Sequence, residues 1–160
     1  MADSTPSAQK VAELAKDIHV GMLTTIDADG HFTARPMAQQ EVEFDGDLWF
    51  FTDSAGLMAQ ITANPHVGVT LSSSDTWISI DGEAEIVTDV AKAKDLWNTW
   101  VEAWLPQGPE DPSVKLIKVN GHSAEYWDTP GSKVTSAISF LKTKLTGEQT
   151  DVGENATVQL

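Results

Sequence analysis

The chain has 160 residues and a formal charge of −14, with 24 acidic side chains against ten basic ones and no cysteine. That length accommodates one domain with a real core, and the charge argues against nucleic-acid and anionic-membrane partners, which select basic patches. The missing thiols exclude disulfides and cysteine nucleophiles and fit a reducing cytosol; with no apolar signal core and no run near the roughly 18 residues that span a bilayer, a cytoplasmic protein is expected.

In chain order, Thr5-Pro6 reads as an N-cap followed by proline at the first helical position, opening a helix to about Lys16. Its apolar residues Val11, Leu14, Ala15 and Ile18 share one face. Val20 to Ile26 reads as a strand and Asp27-Ala28-Asp29-Gly30 as a hairpin turn. An EF-hand loop needs glycine at its sixth position and a late glutamate, so the turn is not read as a calcium loop. Phe32 to about Phe44 is the second strand, and Pro36 inside it marks an edge, a bulge or a backbone left open for a ligand.

Asp45-Gly46 signals a turn, and Leu48 to Thr52 a densely buried strand. Ser54 caps a short helix that Asn64-Pro65 ends. Val67 to Leu71 and Thr76 to Val87 follow as strands, and Asp89 caps a helix from Val90 to Trp104. On that helix Trp97, Trp100 and Trp104 form an aromatic stripe: core packing accounts for at least one, a subunit interface or a ring-shaped ligand for the others. Val114 to Val119 and Ala124 to Trp127 are the last two strands, and Lys133 to Leu145 a helix stopped by Gly147. Residues 1–147 form one domain and 148–160 a polar tail. Strands joined by short turns, with few helices, predict a mainly β fold with flanking α-helices, its antiparallel sheet curling toward a barrel.

Few residues carry chemistry. Arg35 is the only arginine, and its planar fork of donors suits phosphate or carboxylate. Two strands' reach away, Thr52-Asp53-Ser54 starts a helix, so the pair reads as an anion site. Asp81, Glu83 and Glu85 share one strand face, better explained as a solvated face than as a metal or acid–base site. His19, His31, His66 and His122 are scattered without ligand spacing, so no metal is expected.

Thr24-Thr25, Ala34-Arg35-Pro36-Met37, the run from Trp49 through Ser54, Asn64-Pro65 and the run from Ile80 through Glu85 together resemble the flavin-binding split barrels related to pyridoxamine phosphate oxidase. The segment from Leu96 to Pro109, Ala124-Glu125-Tyr126-Trp127-Asp128 and Gly153-Glu154-Asn155 resemble the bacterial general-stress-protein branch of that family. The resemblance implies a six-stranded antiparallel split β-barrel that forms a homodimer, with one FMN at each end of the interface. By position, Arg35, Pro36 and Met37 would meet the ring edge and the phosphoribityl chain. Phe51, Thr52 and Ser54 would line the opposite side, with Asp53 beside them adding mild repulsion and the phosphate near the helix start. Trp77 matches a position that touches the ring from the partner subunit. Leu57 stands where most relatives place a basic residue on the phosphate. A lost charge-assisted hydrogen bond there, about 1.5–3 kcal/mol, implies weak FMN occupancy.

The expected function is that of an FMN-dependent oxidoreductase with a stress-related role, moving electrons between a nicotinamide donor and a small acceptor. The ring does that chemistry and no general base is required. The alternatives are a flavin-binding module without turnover, a cofactor-free dimeric split barrel, and a deazaflavin or haem in the same groove, for which His31 and His66 are poor ligands. With no second arginine to grip a substrate phosphate, pyridoxamine phosphate oxidation itself is not expected.

Overall fold

In the computed structural model, residues 7–40, 45–129, 144–145 and 154–160 are described. The elements are α1 (Ala8–Ala15), β1 (Val20–Ile26), β2 (Phe32–Ala38), β3 (Asp47–Thr52), α2 (Ala55–Ala63), β4 (His66–Ser72), β5 (Thr76–Val87), α3 (Val90–Leu96), α4 (Thr99–Trp104), β6 (Lys115–Asp128) and β7 (Glu154–Gln159). Along β5, buried and exposed residues alternate from Thr76 to Glu85, the period of a strand with one face on a core and one on solvent. The inward set of Leu23, Phe50, Leu71, Ile78, Ile80 and Tyr126 is sealed by Val11 and Ala15 of α1 and by Leu57 and Ile61 of α2.

The strands are antiparallel in the order β2-β1-β4-β5-β6-β3, with β7 added to β6. The fold is the expected mainly β one, but the sheet has seven strands rather than six and is not closed, since β2 and β3 end the path without a shared ladder. Among the described residues no helix is long and apolar enough to cross a membrane.

Several boundaries differ from expectation. β2, expected to run from Phe32 to about Phe44, ends at Ala38; Gln39 and Gln40 leave the strand, and residues 41–44 lie outside the described residues. Ser7 caps α1 by accepting from the Lys10 N–H; Thr5 and Pro6 lie outside the described residues. The helix expected from Val90 to Trp104 breaks at Trp97, because the Asn98 carboxamide accepts from Trp100 and Val101 N–H groups and starts α4 afresh. The tryptophan stripe is therefore divided: Trp97 is half-buried edge-on against Phe51, whereas Trp100 and Trp104 are exposed. The two last strands are one strand, β6, carried through a bulge opposite Asp81 and Gly82. Glycine makes that possible: a Cβ on Gly82 would collide with the Asn120 carbonyl, and one on Gly121 would stand 2.7 Å from the Gly46 oxygen. Residues 154–159 of the polar tail pair with β6 as β7. Of the helix expected from Lys133 to Leu145, only Lys144 and Leu145 lie within the described residues, and both are helical.

Candidate functional site

Alternation along β2 places Thr33, Arg35 and Met37 on the inward side, with Thr25 and Leu23 of β1 paired opposite Thr33 and Arg35. The guanidinium is held there by neutral acceptors. One terminal nitrogen donates to the Thr25 hydroxyl (2.8 Å) and the Leu23 carbonyl (3.3 Å), the other to the Thr33 hydroxyl (2.8 Å) and Gln60 Oε1 (3.2 Å). The same Gln60 oxygen accepts from the hydroxyls of Thr25 at 2.6 Å and Thr33 at 3.1 Å, tying α2 to the β1–β2 hairpin. Among the described residues no carboxylate lies within 4.0 Å of Arg35. Burial pulls its pKa below the ordinary arginine value, yet a guanidinium stays charged. The result is a partly desolvated cation without a counter-charge among the described residues.

One alternation further along β2, a cavity of about 300 Å³ opens between that strand, the end of β3 and α4. Pro36, Met37, Phe51, Thr52, Asp53 and Trp104 line it, with Gln40 at its polar end. The α4 wall is fastened from two sides: Asn98 Nδ2 donates to Gln40 Oε1 at 2.9 Å, and Gln107 Nε2 donates to Asp53 Oδ2 at 3.0 Å. Val101 and Leu105 bury their side chains beneath it, leaving the Trp104 ring 79% exposed at the rim. A larger cavity, about 570 Å³, lies between α1 and the start of β3. It is walled by groups such as Glu13, Lys16 and Asp47 and contains none of the expected site residues.

Five expected site residues, Pro36, Met37, Phe51, Thr52 and Asp53, thus line one cavity, whereas Arg35, the residue before Pro36 in β2, is not among its lining residues. Ser54 stands at the start of α2, where its hydroxyl accepts from Leu57 N–H and its own N–H donates to Thr52 Oγ1. Leu57 departs from expectation. One turn before Ile61 on the inward face of α2, it is 5% exposed and part of the core, so it does not face the groove. Trp77 is also apart from the cavity. It projects from the outer face of β5 opposite Trp127 of β6, both rings more than two-fifths exposed.

Two features of the fold were not legible from residue spacing. Trp104 belongs to the cavity wall, and the aromatic stripe was its only signal. The histidines that looked scattered converge in part: His66 Nε2 lies 3.2 Å and His122 Nδ1 4.0 Å from the two oxygens of Asp81. A third cluster, Asp27, Asp29 and His31, is the β1–β2 turn itself. There Asp27 Oδ1 accepts from the N–H groups of Asp29 and His31, and the His31 bond is the main cause holding its carboxyl below the usual range.

Comparison with known proteins agrees with this architecture. A general stress FMN/FAD binding protein from Xanthomonas citri superposes with a TM-score of 0.66 at 33% identity, covering 78% of this chain and 90% of that one. A candidate general stress protein 26 from Jannaschia sp. CCS1 superposes over the full length of both chains with a TM-score of 0.79 at 29% identity. The protein bli-3 of Neurospora crassa is 28% identical over 93% of this chain and 79% of its own length. Residues 6–151 match the family described as pyridoxamine 5'-phosphate oxidase like, and the chain belongs to that family.

Proposed function

We propose that this chain binds FMN in the groove between β2, β3 and α4, as a homodimer, and works as a flavin-dependent oxidoreductase. The observation that carries the proposal is Arg35: a half-buried guanidinium without an acidic partner among the described residues, on the strand whose next residues, Pro36 and Met37, line the cavity. A buried charge is costly unless matched, and a ligand phosphate matches it with a charge-assisted hydrogen bond. The cavity volume is at the low end of the range for cofactor sites, which suits a ring system whose phosphate tail leaves along β2. Pro36, Met37 and Phe51 offer apolar surface for that ring, Gln40 and Thr52 offer hydrogen-bonding edges, and Arg35 and the start of α2 offer the anion site. The Gln107 bond turns the Asp53 carboxylate toward the loop, which limits its repulsion of the phosphate. The Xanthomonas citri relative, named for FMN/FAD binding, supports the same ligand class.

A bound flavin supplies the electron-transfer chemistry; this chain's residues orient it and keep water from one side. Val101 and Leu105 close the floor of the cavity against solvent, while the exposed indole of Trp104 stands at its mouth where a second planar reactant would arrive. Val20, Met22 and Phe32 at one side of the sheet and Trp77 and Trp127 further across leave apolar side chains exposed. Dimerisation through this surface would cover it and bring Trp77 of one copy toward the other copy's groove.

Titration of the purified protein with FMN, followed by flavin fluorescence and by thermal midpoint, tests the binding. The expected outcome is saturable quenching at one FMN per chain with a rise in the midpoint; neither response at high ligand would overturn the proposal. Anaerobic mixing of the flavin-loaded protein with a reduced nicotinamide then tests turnover: bleaching of the flavin supports an oxidoreductase, and stable yellow colour supports a binding module.

A further inference from the structure

We infer that Gln60 is a positioning residue that holds the Arg35 guanidinium without cancelling its charge, and that this sets a preference for a phosphorylated ligand over the same ligand without phosphate. The inference rests on the flavin reading above and adds a residue from outside the cavity, since Gln60 is not among its lining residues. Gln60 stands half-buried on α2, one turn after Leu57 and next to Ile61 of the core. Its Oε1 accepts from three donors: the hydroxyls of Thr25 at 2.6 Å and Thr33 at 3.1 Å, and one terminal nitrogen of Arg35 at 3.2 Å. The oxygen of the carboxamide must be the atom facing the guanidinium, because arginine only donates.

A glutamate has the same shape as glutamine and would offer an oxygen at the same point, but with a charge that pairs with a guanidinium. The amide orients the fork and leaves its charge unmatched. This chain has nothing nearby in sequence to replace a cancelled charge: no lysine occurs between Lys16 and Lys92, and Leu57 is buried in the core. The two bonds that hold the guanidinium most closely are those to the Thr25 and Thr33 hydroxyls, both 2.8 Å, whereas those to Gln60 and the Leu23 carbonyl are 3.2 and 3.3 Å. Nε–H has no partner among the described residues. An anion can therefore meet the guanidinium while the two short bonds keep it in place.

The test is titration of parent and variants with FMN and, separately, with riboflavin, which has the same ring and no phosphate, followed by flavin fluorescence. The parent is expected to bind FMN more tightly than riboflavin. Gln60→Glu is expected to lower FMN affinity about tenfold or more with little change for riboflavin. Its thermal midpoint without ligand should not fall, since the new carboxylate pairs with Arg35. Thr33→Asp brings a carboxylate to the same guanidinium nitrogen from β2; it is expected to act alike, and it decides if Gln60→Glu does not fold. Equal affinity of the parent for the two ligands, equal weakening of both in the variant, or unchanged FMN affinity in the folded variant would each overturn this inference and leave the flavin reading standing. Binding of neither ligand by the parent would overturn the flavin reading, and this inference with it.

Discussion

Arg35 and Asp81 are both charged residues in strands of one antiparallel sheet, and their surroundings are opposite. Arg35 faces inward beneath α2 and is met by hydroxyls, a carboxamide and a carbonyl. Asp81 faces outward and is met by two imidazoles. Neutral acceptors hold a guanidinium in place but do not cancel its charge, so among the described residues the inner cluster keeps a deficit that an anion can fill. Water already screens the outer cluster, so it gains little stability from its neighbours. Burial thus decides which of the two charges is an electrostatic demand and which is left to solvent.

The largest effect expected from breaking this contrast is at Arg35. Arg35→Met removes the cation while retaining a long side chain, and FMN affinity should fall roughly ten- to a hundredfold, as for loss of a charge-assisted hydrogen bond of about 1.5–3 kcal/mol. Fluorescence titration reads it, with far-UV circular dichroism to check the fold. An unchanged dissociation constant would mean that Arg35 only ties the hairpin to Gln60.

Gly82→Ala strikes the outer cluster through the backbone. The added methyl meets the Asn120 carbonyl, and overpacking of this kind costs about 1–3 kcal/mol. The unfolding free energy from urea denaturation should drop by that amount; an unchanged value would show that β5 and β6 spread freely, and that the bulge does not fix His122.

The smallest effect concerns Tyr126, a fully buried hydroxyl that donates to Glu154 Oε1 at 2.7 Å. Burial first, then that hydrogen bond, push its pKa up from 10.0 to about 12. A raised value means that the folded state favours the neutral phenol. Its contribution is present below about pH 10 and is lost as pH rises toward about 12. Tyr126→Phe should cost about 0.5–1.5 kcal/mol at neutral pH and flatten the alkaline decline measured by urea unfolding. A decline of equal slope in the variant would assign it to other groups.

How much of this was legible in the sequence depended on range. Local signals served well: β5 keeps its expected bounds from Thr76 to Val87, and Ser54 and Asp89 cap the helices they were expected to cap. The groove was legible insofar as Pro36-Met37 lie in β2 and Phe51-Thr52 in β3, with Asp53 directly after, and all of them line it. What failed was set by contacts that a linear pattern does not carry. The His66–Asp81–His122 cluster exists only through cross-strand register and a bulge made possible by two glycines. Leu57 was placed in the groove by position, but helical phase pairs it with Ile61 in the core. β7 escaped notice because Val158 is its only fully buried side chain, so most of its sequence looks like a polar tail.

That strand has a consequence for how the chain tolerates shortening. One edge of β6 is covered by β5 along most of its length; the other is shared, with β3 pairing Lys115 to Asn120 and β7 pairing Ser123 to Asp128. The handover lies at Gly121 and His122, where Gly46 and Leu160 bond the β6 backbone from either side. Removing residues 154–160 would bare the donors and acceptors of Ser123–Asp128, in a stretch that includes Trp127. Such an edge invites any extended peptide to add as a strand. A C-terminally trimmed chain would therefore fail by sticking to its neighbours before it failed by unfolding.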